Sequence, residues 1–183
     1  MTDREEEGIR SLGRAVSPPL DRPSPELLDR FPSPSASAAA NPAGAFMALR
    51  IDAPEFTSLC PITGQPDWAR IVIRYQPDQW CVESKSLKLY LGSYRNFGEF
   101  HESCVNRICN DLVRLLEPSW LIVEGRFTPR GGIPFWPVAV YRRELRDVGA
   151  VRDDGSREQP DLFDLLEPLT AEMDRAPRRE EAI

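Results

Sequence analysis

"NFGEFHESCVNRICNDLVRLLEPSWLIVEGRF", Asn96–Phe127, is the stretch whose reading decides the fold class. Phe97, Phe100, Cys104, Ile108, Leu112 and Leu115 recur every three or four residues, which is one apolar stripe along a helix of about twenty residues. Asn96 reads as its N-cap, with Glu99 three residues on as the reciprocal capping group. "EPSW" ends the helix and the period changes. "WLIVEGRF" (120–127) reads as a strand, "TPRGG" as a turn and "IPFWPVAVY" (133–141) as a return strand, where Pro134 and Pro137 avoid interior ladder positions.

Working outward, "ARIVIRY" (69–75) alternates and puts Ile71, Ile73 and Tyr75 on one face of another strand. "QPDQ" turns the chain, "WCVE" (80–83) starts a second strand, and "SKSLKLYLGSY" (84–94) reads as a short helix. The order strand, strand, helices, strand, strand predicts an α+β unit: an antiparallel sheet with helices on one face. No G-x-G-x-x-G and no P-loop lysine motif occurs in the sequence, so a nucleotide would have to be held by other means.

The ends differ from this middle. Residues 1–50 are rich in Pro, Ser and Ala ("SPPLDRPSPELLDRFPSPSASAAANPAG"), a composition that offers little apolar surface and predicts disorder. Residues 51–147 are expected to form the globular domain and 148–183 an acidic, disordered tail. The charge divides the same way. Of 23 basic and 29 acidic residues, 1–50 carry six and seven and 151–183 carry five and ten, leaving twelve of each between. A neutral domain announces no nucleic-acid groove and no anionic membrane surface. The amino terminus lacks the pattern of a secretory signal, no apolar run has membrane-spanning length, and the four cysteines form no C-x-x-C pair; the expected place is the cytoplasm. So small a domain is expected to need a neighbouring copy to wall a buried site.

Three groups of residues bear on chemistry. "LCPITGQPD" sets Cys60 in a Pro/Gly turn, seven residues before Asp67; the thiol reads either as part of a structural turn or as a nucleophile with an acid beside it. Lysine is the second clue. The chain has 21 arginines and two lysines, Lys85 and Lys88, in "ESKSLKLY"; they read either as a solvated face or as point charges for phosphate. Third, the single histidine adjoins a glutamate, His101-Glu102, which is either helix-start electrostatics or a ligand contact. One histidine and scattered cysteines leave a zinc site unsupported.

"CPITGQPD", "ESKSLKLYLGSYRN" and "FHESCVNRI", in this order, resemble the 7-cyano-7-deazaguanine reductases, the QueF nitrile reductases, in their short single-module form. The resemblance spans about residues 55–142, and the E-S-K-S-L-K-x-Y element separates that family from its fold relatives, the GTP cyclohydrolases. It implies a tunnelling fold, in which small α+β units assemble into rings with sites at subunit interfaces, here a decamer of two pentamers by analogy. It implies NADPH-dependent reduction of the nitrile of 7-cyano-7-deazaguanine to 7-aminomethyl-7-deazaguanine, a step toward the tRNA base queuosine. Cys60 would form a covalent thioimide and Asp67 would supply protons. Val82, Glu83, Ser84, His101 and Glu102 would hold the deazaguanine, and Lys85, Lys88 and Arg130 the NADPH phosphates. No metal, nucleic acid or membrane is expected to take part. A reversible Cys60–Cys104 disulfide is a further hypothesis, against the reading of Cys104 as a core residue of the helix stripe. The rival readings are a cyclohydrolase-like hydrolase, for which one histidine is a poor water activator, a non-catalytic purine or pterin binder, and a redox-sensing thiol protein.

Overall fold

Ile71, Ile73 and Tyr75 are wholly buried, as their alternation predicts, and they mark the middle of the sheet. The computed structural model describes residues 21–143 of the chain; the first twenty residues and the expected acidic tail, 148–183, lie outside the described residues. Strand β1 spans Arg30–Pro32, β2 Leu49–Leu59, β3 Pro66–Gln76 and β4 Trp80–Val82. Helix α1 (Ser84–Gly92) and helix α2 (His101–Leu116) follow, then β5 (Trp120–Arg130), β6 (Ile133–Phe135) and β7 (Val138–Arg142). The main sheet runs β2-β3-β5, with β6 and β7 both on the far side of β5, and every pairing is antiparallel. The α+β class with helices against an antiparallel sheet is as expected.

One face of that sheet carries the core. Ile71 lies opposite Gly125, Ile73 opposite Val123 and Tyr75 opposite Leu121. Cys104, Val105, Ile108, Leu112 and Leu116 of α2 and Leu87, Tyr90 and Leu91 of α1 bury against this face. Each large apolar side chain so buried contributes about 1.5–3 kcal/mol. Gly125 sets how closely α2 approaches: a Cβ there would meet Val105 Cγ2 at 2.5 Å.

Several local expectations are corrected. Helix α2 begins at His101, not near Asn96, and Phe100 occupies the N-cap position with no side-chain cap. The reason is that the preceding residues act as extended chain. Leu59 N–H donates to Phe97 C=O (2.9 Å) and Glu99 N–H to Leu59 C=O (3.1 Å), so this backbone cannot coil until Phe100. The helix closes on Glu117 in a left-handed conformation (φ 46°) just before Pro118. The return strand 133–141 is split into β6 and β7 around Trp136-Pro137. Strand β2, unread in the sequence, is interrupted by a register shift between Ala53 and Phe56, where Pro54 falls.

The expected disorder of residues 1–50 is corrected from residue 21 onward. Pro25 and Pro34 open short 3-10 turns, and β1 pairs with β4 in a separate two-stranded sheet. Leu28 is 2% exposed and belongs to the core cluster. Polar groups do the rest of the anchoring: Ser24 N–H donates to Ser93 Oγ (3.1 Å), Asp29 N–H to Ser86 Oγ (2.9 Å) and Glu83 N–H to Asp29 C=O (2.9 Å). A segment poor in apolar residues thus stays ordered because its backbone groups are satisfied by specific partners.

Candidate active site

Strand β2 hands the chain to β3 through a turn that begins at Cys60. Cys60 N–H donates to Gln65 C=O (2.8 Å) and Gly64 N–H to Cys60 C=O (2.9 Å), closing the loop. The hairpin register sets Asp67 opposite Ser58, so Asp67 faces the helix side of the sheet and is 4% exposed. The first residue of α2, His101, comes down on this carboxylate with Nε2 3.1 Å from Asp67 Oδ2. Its ring stacks on Phe127, centroids 3.7 Å apart and planes within 6°. Arg130, at the end of β5, pairs with the other oxygen, Asp67 Oδ1.

Two hollows meet at these residues. One, of about 310 Å³, is walled by Cys60, Asp67, His101, Glu102 and Arg130, with Glu99 and the apolar Phe100, Ile133 and Phe135. The other, of about 420 Å³, shares Cys60, Asp67, His101 and Arg130 and adds Thr63, Gln65, Trp68 and Thr128. Asp67 Oδ2 and His101 Nε2 are buried and have no hydrogen-bond partner among the described residues. A ligand donor or a transferred proton is what such groups can accept.

The electrostatics suit a nucleophile. The Cys60 thiol is lowered from its ordinary value of 9.0 to about 7, first by a hydrogen bond from the Thr63 side chain, then by the Thr63 and Ile62 backbone amides and Arg130. More of it is then thiolate at neutral pH, the reactive form, than of an ordinary cysteine. His101 is lowered by burial, against Glu102, which raises it, so burial favours the neutral imidazole. The other thiols differ. Burial raises Cys81, and pushes Cys104 and Cys109 up to about 12. Cys104 is wholly buried, and all four cysteines are free.

Of the residues singled out in the sequence, Cys60, Asp67, His101, Glu102 and Arg130 are brought together here. Arg130, read as a phosphate contact, stands at the Cys60–Asp67 pair itself. Val82, Glu83, Ser84, Lys85 and Lys88 line neither hollow. Glu83 caps α1: its carboxylate accepts from Lys85 N–H (2.9 Å), Ser86 N–H (2.7 Å) and Ser84 Oγ (3.3 Å). Val82 N–H donates to Tyr75 Oη (3.1 Å). Lys88 lines a separate groove of about 290 Å³ with Arg95, over Phe56 and Leu91. Thr63 and Glu99 were not read as site residues. Thr63 carried a weak signal, a hydroxyl within the cysteine's own turn. Glu99 carried a misleading one, its fit to a capping pattern. No group of acidic, histidine and cysteine side chains among the described residues could hold a metal ion, and no described helix is long and apolar enough to cross a membrane.

Comparison with known proteins gives this site a context. The family model described as QueF-like protein matches residues 66–145. Proteins named NADPH-dependent 7-cyano-7-deazaguanine reductase are close in sequence. That of Streptococcus thermophilus is 51% identical over 144 residues, 78% of this chain and 84% of the relative. That of Methylocella silvestris is 52% identical over 71% of this chain and 82% of the relative, and that of Bacteroides fragilis 50% identical over 78% and 89%. A solved structure titled as the archaeosine synthase QueF-Like in the apo form aligns with a TM-score of 0.46 at 20% identity, over 52% of this chain and 91% of that one. By its sequence over most of its length, this chain belongs to the family of the NADPH-dependent 7-cyano-7-deazaguanine reductases.

Proposed function

We propose that this chain reduces the nitrile of 7-cyano-7-deazaguanine to the primary amine, 7-aminomethyl-7-deazaguanine, in the synthesis of queuosine. The observation that carries the reading is the shared pocket: an activated thiol, Cys60, beside a buried acid, Asp67, with His101 and Glu102 on the same wall. The Cys60 sulfur adds to the nitrile carbon, and its proton passes by way of Asp67 to the nitrile nitrogen, leaving a thioimide. Linear C≡N thereby becomes trigonal C=N. NADPH, when bound, supplies one hydride at each of two reductions. Between the two, the carbon–sulfur bond breaks, the electron pair returns to Cys60, and an imine remains for the second reduction. Asp67 and His101, facing each other across 3.1 Å, are placed to hold the protons each reduction consumes.

Glu102 is exposed at the pocket rim, where a carboxylate accepts from the ring N–H and amine of a deazaguanine. NADPH fits the residues present. A second hollow adjoins the same thiol, and Lys85 and Lys88, which line neither hollow of their own copy, would bring point charges for phosphate from an adjoining one. Val82, Glu83 and Ser84 belong, in this reading, to the substrate site of an adjoining copy. The apolar surface around the pocket supports such assembly: Ile62, Trp68, Phe100, Ile133, Phe135 and Trp136 are all exposed. Rings of such copies, ten in all as two pentamers, complete the sites. Free thiols suit a reducing compartment, and the cytoplasm is the proposed place.

The test mixes assembled protein with the nitrile and follows intact mass and NADPH absorbance. A covalent adduct on wild type, lost in Cys60→Ala, with two NADPH oxidised per amine formed, is the expected result. Turnover by Cys60→Ala would remove the nucleophile from the scheme, and no NADPH oxidation by assembled wild type would remove the reaction.

A further inference from the structure

The nucleophile and the residues facing it lie on elements far apart in sequence, and one short segment ties them. Phe97–Glu99 runs beside Leu59, the residue just before Cys60, in a parallel bridge between Leu59 and Gly98. Two hydrogen bonds hold it there, Leu59 N–H to Phe97 C=O and Glu99 N–H to Leu59 C=O. Gly98 lies against the residue after Cys60: a Cβ at Gly98 would stand 3.4 Å from Pro61 Cα. Two residues past Glu99 comes His101. Any displacement of this strap therefore moves Cys60 relative to His101 and Glu102.

Arg107 grips the strap from both ends. Its Nε donates to Glu99 Oε2 (3.0 Å) and Nη2 to Glu99 Oε1 (2.9 Å), a two-pronged pair that fixes direction as well as distance. The same guanidinium stands over the Phe97 ring, 5.9 Å from its centroid, and Phe97 packs edge-on against buried Tyr94. Arg107 lies on α2 itself, so the contact folds the strap back onto the helix that carries His101 and Glu102. Glu99 also lines the pocket holding Cys60.

We propose that Glu99 and Arg107 are a positioning pair: by locking the Phe97–Glu99 strap to α2 they set Cys60 at the distance from His101 and Glu102 that nitrile addition requires. This rests on the reading of Cys60 as the nucleophile. The pair acts on geometry and leaves the thiol's own reactivity, which comes from the Thr63 turn, unchanged.

The experiment compares Glu99→Gln, Arg107→Gln, the double variant and the charge swap Glu99→Arg/Arg107→Glu in assembled full-length protein. Two rates are read: adduct formation with the nitrile, and alkylation of Cys60 by iodoacetamide across pH. Each single variant is expected to slow adduct formation about 10- to 100-fold, the loss that misplacing reacting groups by an ångström brings. The double is expected to be no slower than the singles, and the swap to recover part of the rate. Alkylation rate and its pH midpoint are expected to match wild type. Adduct formation at the wild-type rate in Arg107→Gln, additive losses, or a parallel loss of alkylation would overturn the proposal. So would a loss confined to Glu99→Gln, which would make Glu99 a direct substrate contact. Arg107→Lys, which keeps the charge and loses the fork, carries the same test if Arg107→Gln does not assemble. Cys60→Ala is run beside them. An adduct there would overturn the nucleophile, whereas an inert Cys60→Ala with a fast Arg107→Gln would overturn the clamp alone.

Discussion

The two helices of this chain begin in opposite ways. At α1 the Glu83 carboxylate takes the amides of Lys85 and Ser86, and its own backbone is held by Asp29 on the N-terminal segment. At α2 no side chain caps the first turn, and His101 turns instead toward Asp67 across a pocket that also holds Cys60. The closed start has its first amides taken and lines neither hollow at the thiol. The open start leaves buried polar atoms for a ligand. Both starts carry residues proposed to hold substrate, yet only one shares a hollow with Cys60. In the proposed ring the open start of one copy meets the closed start of another.

The strongest way to break this comparison is to mix subunits. Cys60→Ala is expected to lose on the order of 10⁴-fold or more in kcat. Glu83→Gln, which keeps an oxygen for capping, is expected to lose about 100-fold through weaker hold on the substrate. If the two starts serve one site from different copies, co-assembled rings regain up to roughly a quarter of wild-type activity, because that share of interfaces pairs an intact Cys60 with an intact Glu83. Mixed rings, verified by native mass, that gain nothing over the parents would place both starts in the same copy's site or remove Glu83 from it.

Next in size is the support behind the closed start. Leu28 is 2% exposed in the core cluster, and the neighbouring Asp29 bonds both Ser86 and Glu83. Leu28→Ala is expected to cost about 2–5 kcal/mol, measured by denaturant unfolding. A change within error would mean that residues 21–36 are an accessory rather than part of the domain.

These two cases also show what the sequence could and could not carry. Ile71, Ile73 and Tyr75 were legible because alternation is a local pattern, and Cys104, Ile108 and Leu112 because helical spacing is one too. The start of α2 was not. Asn96 and Glu99 fit a capping pattern, but a distant partner, Leu59, took the backbone first. Residues 21–36 were misread for the same reason: composition averages over a segment, whereas Ser24, Asp29 and Ser33 are ordered by single partners some fifty residues or more away in two of the three cases. Cys60 and Asp67 were nameable as a pair through family resemblance, but not Thr63, whose contribution is the geometry of a turn.

A third expectation separates the cations at the two starts. Lys88, beside Arg95 on the groove along α1, is expected to act on NADPH binding: Lys88→Ala should raise KM for NADPH about tenfold with kcat little changed, the loss of one charge-assisted contact. Arg130, bound to Asp67, should instead lower kcat when replaced by Ala. The reverse assignment in steady-state kinetics would exchange their roles.

The smallest expected effect concerns the thiol at the open start. Cys60 sits at about 7, and the Thr63 side chain is the largest cause. Since the thiolate reacts, the rate at which iodoacetamide alkylates wild-type Cys60, a reaction that needs no proton delivered through Asp67, should climb with pH through about 7 and flatten above it. Thr63→Val removes the hydroxyl and leaves the two turn amides, so the thiol moves up toward its ordinary 9.0. The variant is then slower at pH 7 by a few-fold and still rising where wild type is flat. At pH 9.5 the order closes or reverses, because a thiolate of higher pKa is the better nucleophile. A midpoint that stays at 7 in Thr63→Val would assign the activation to the Ile62 and Thr63 amides and Arg130, and the open start would owe its reactive thiol to backbone alone.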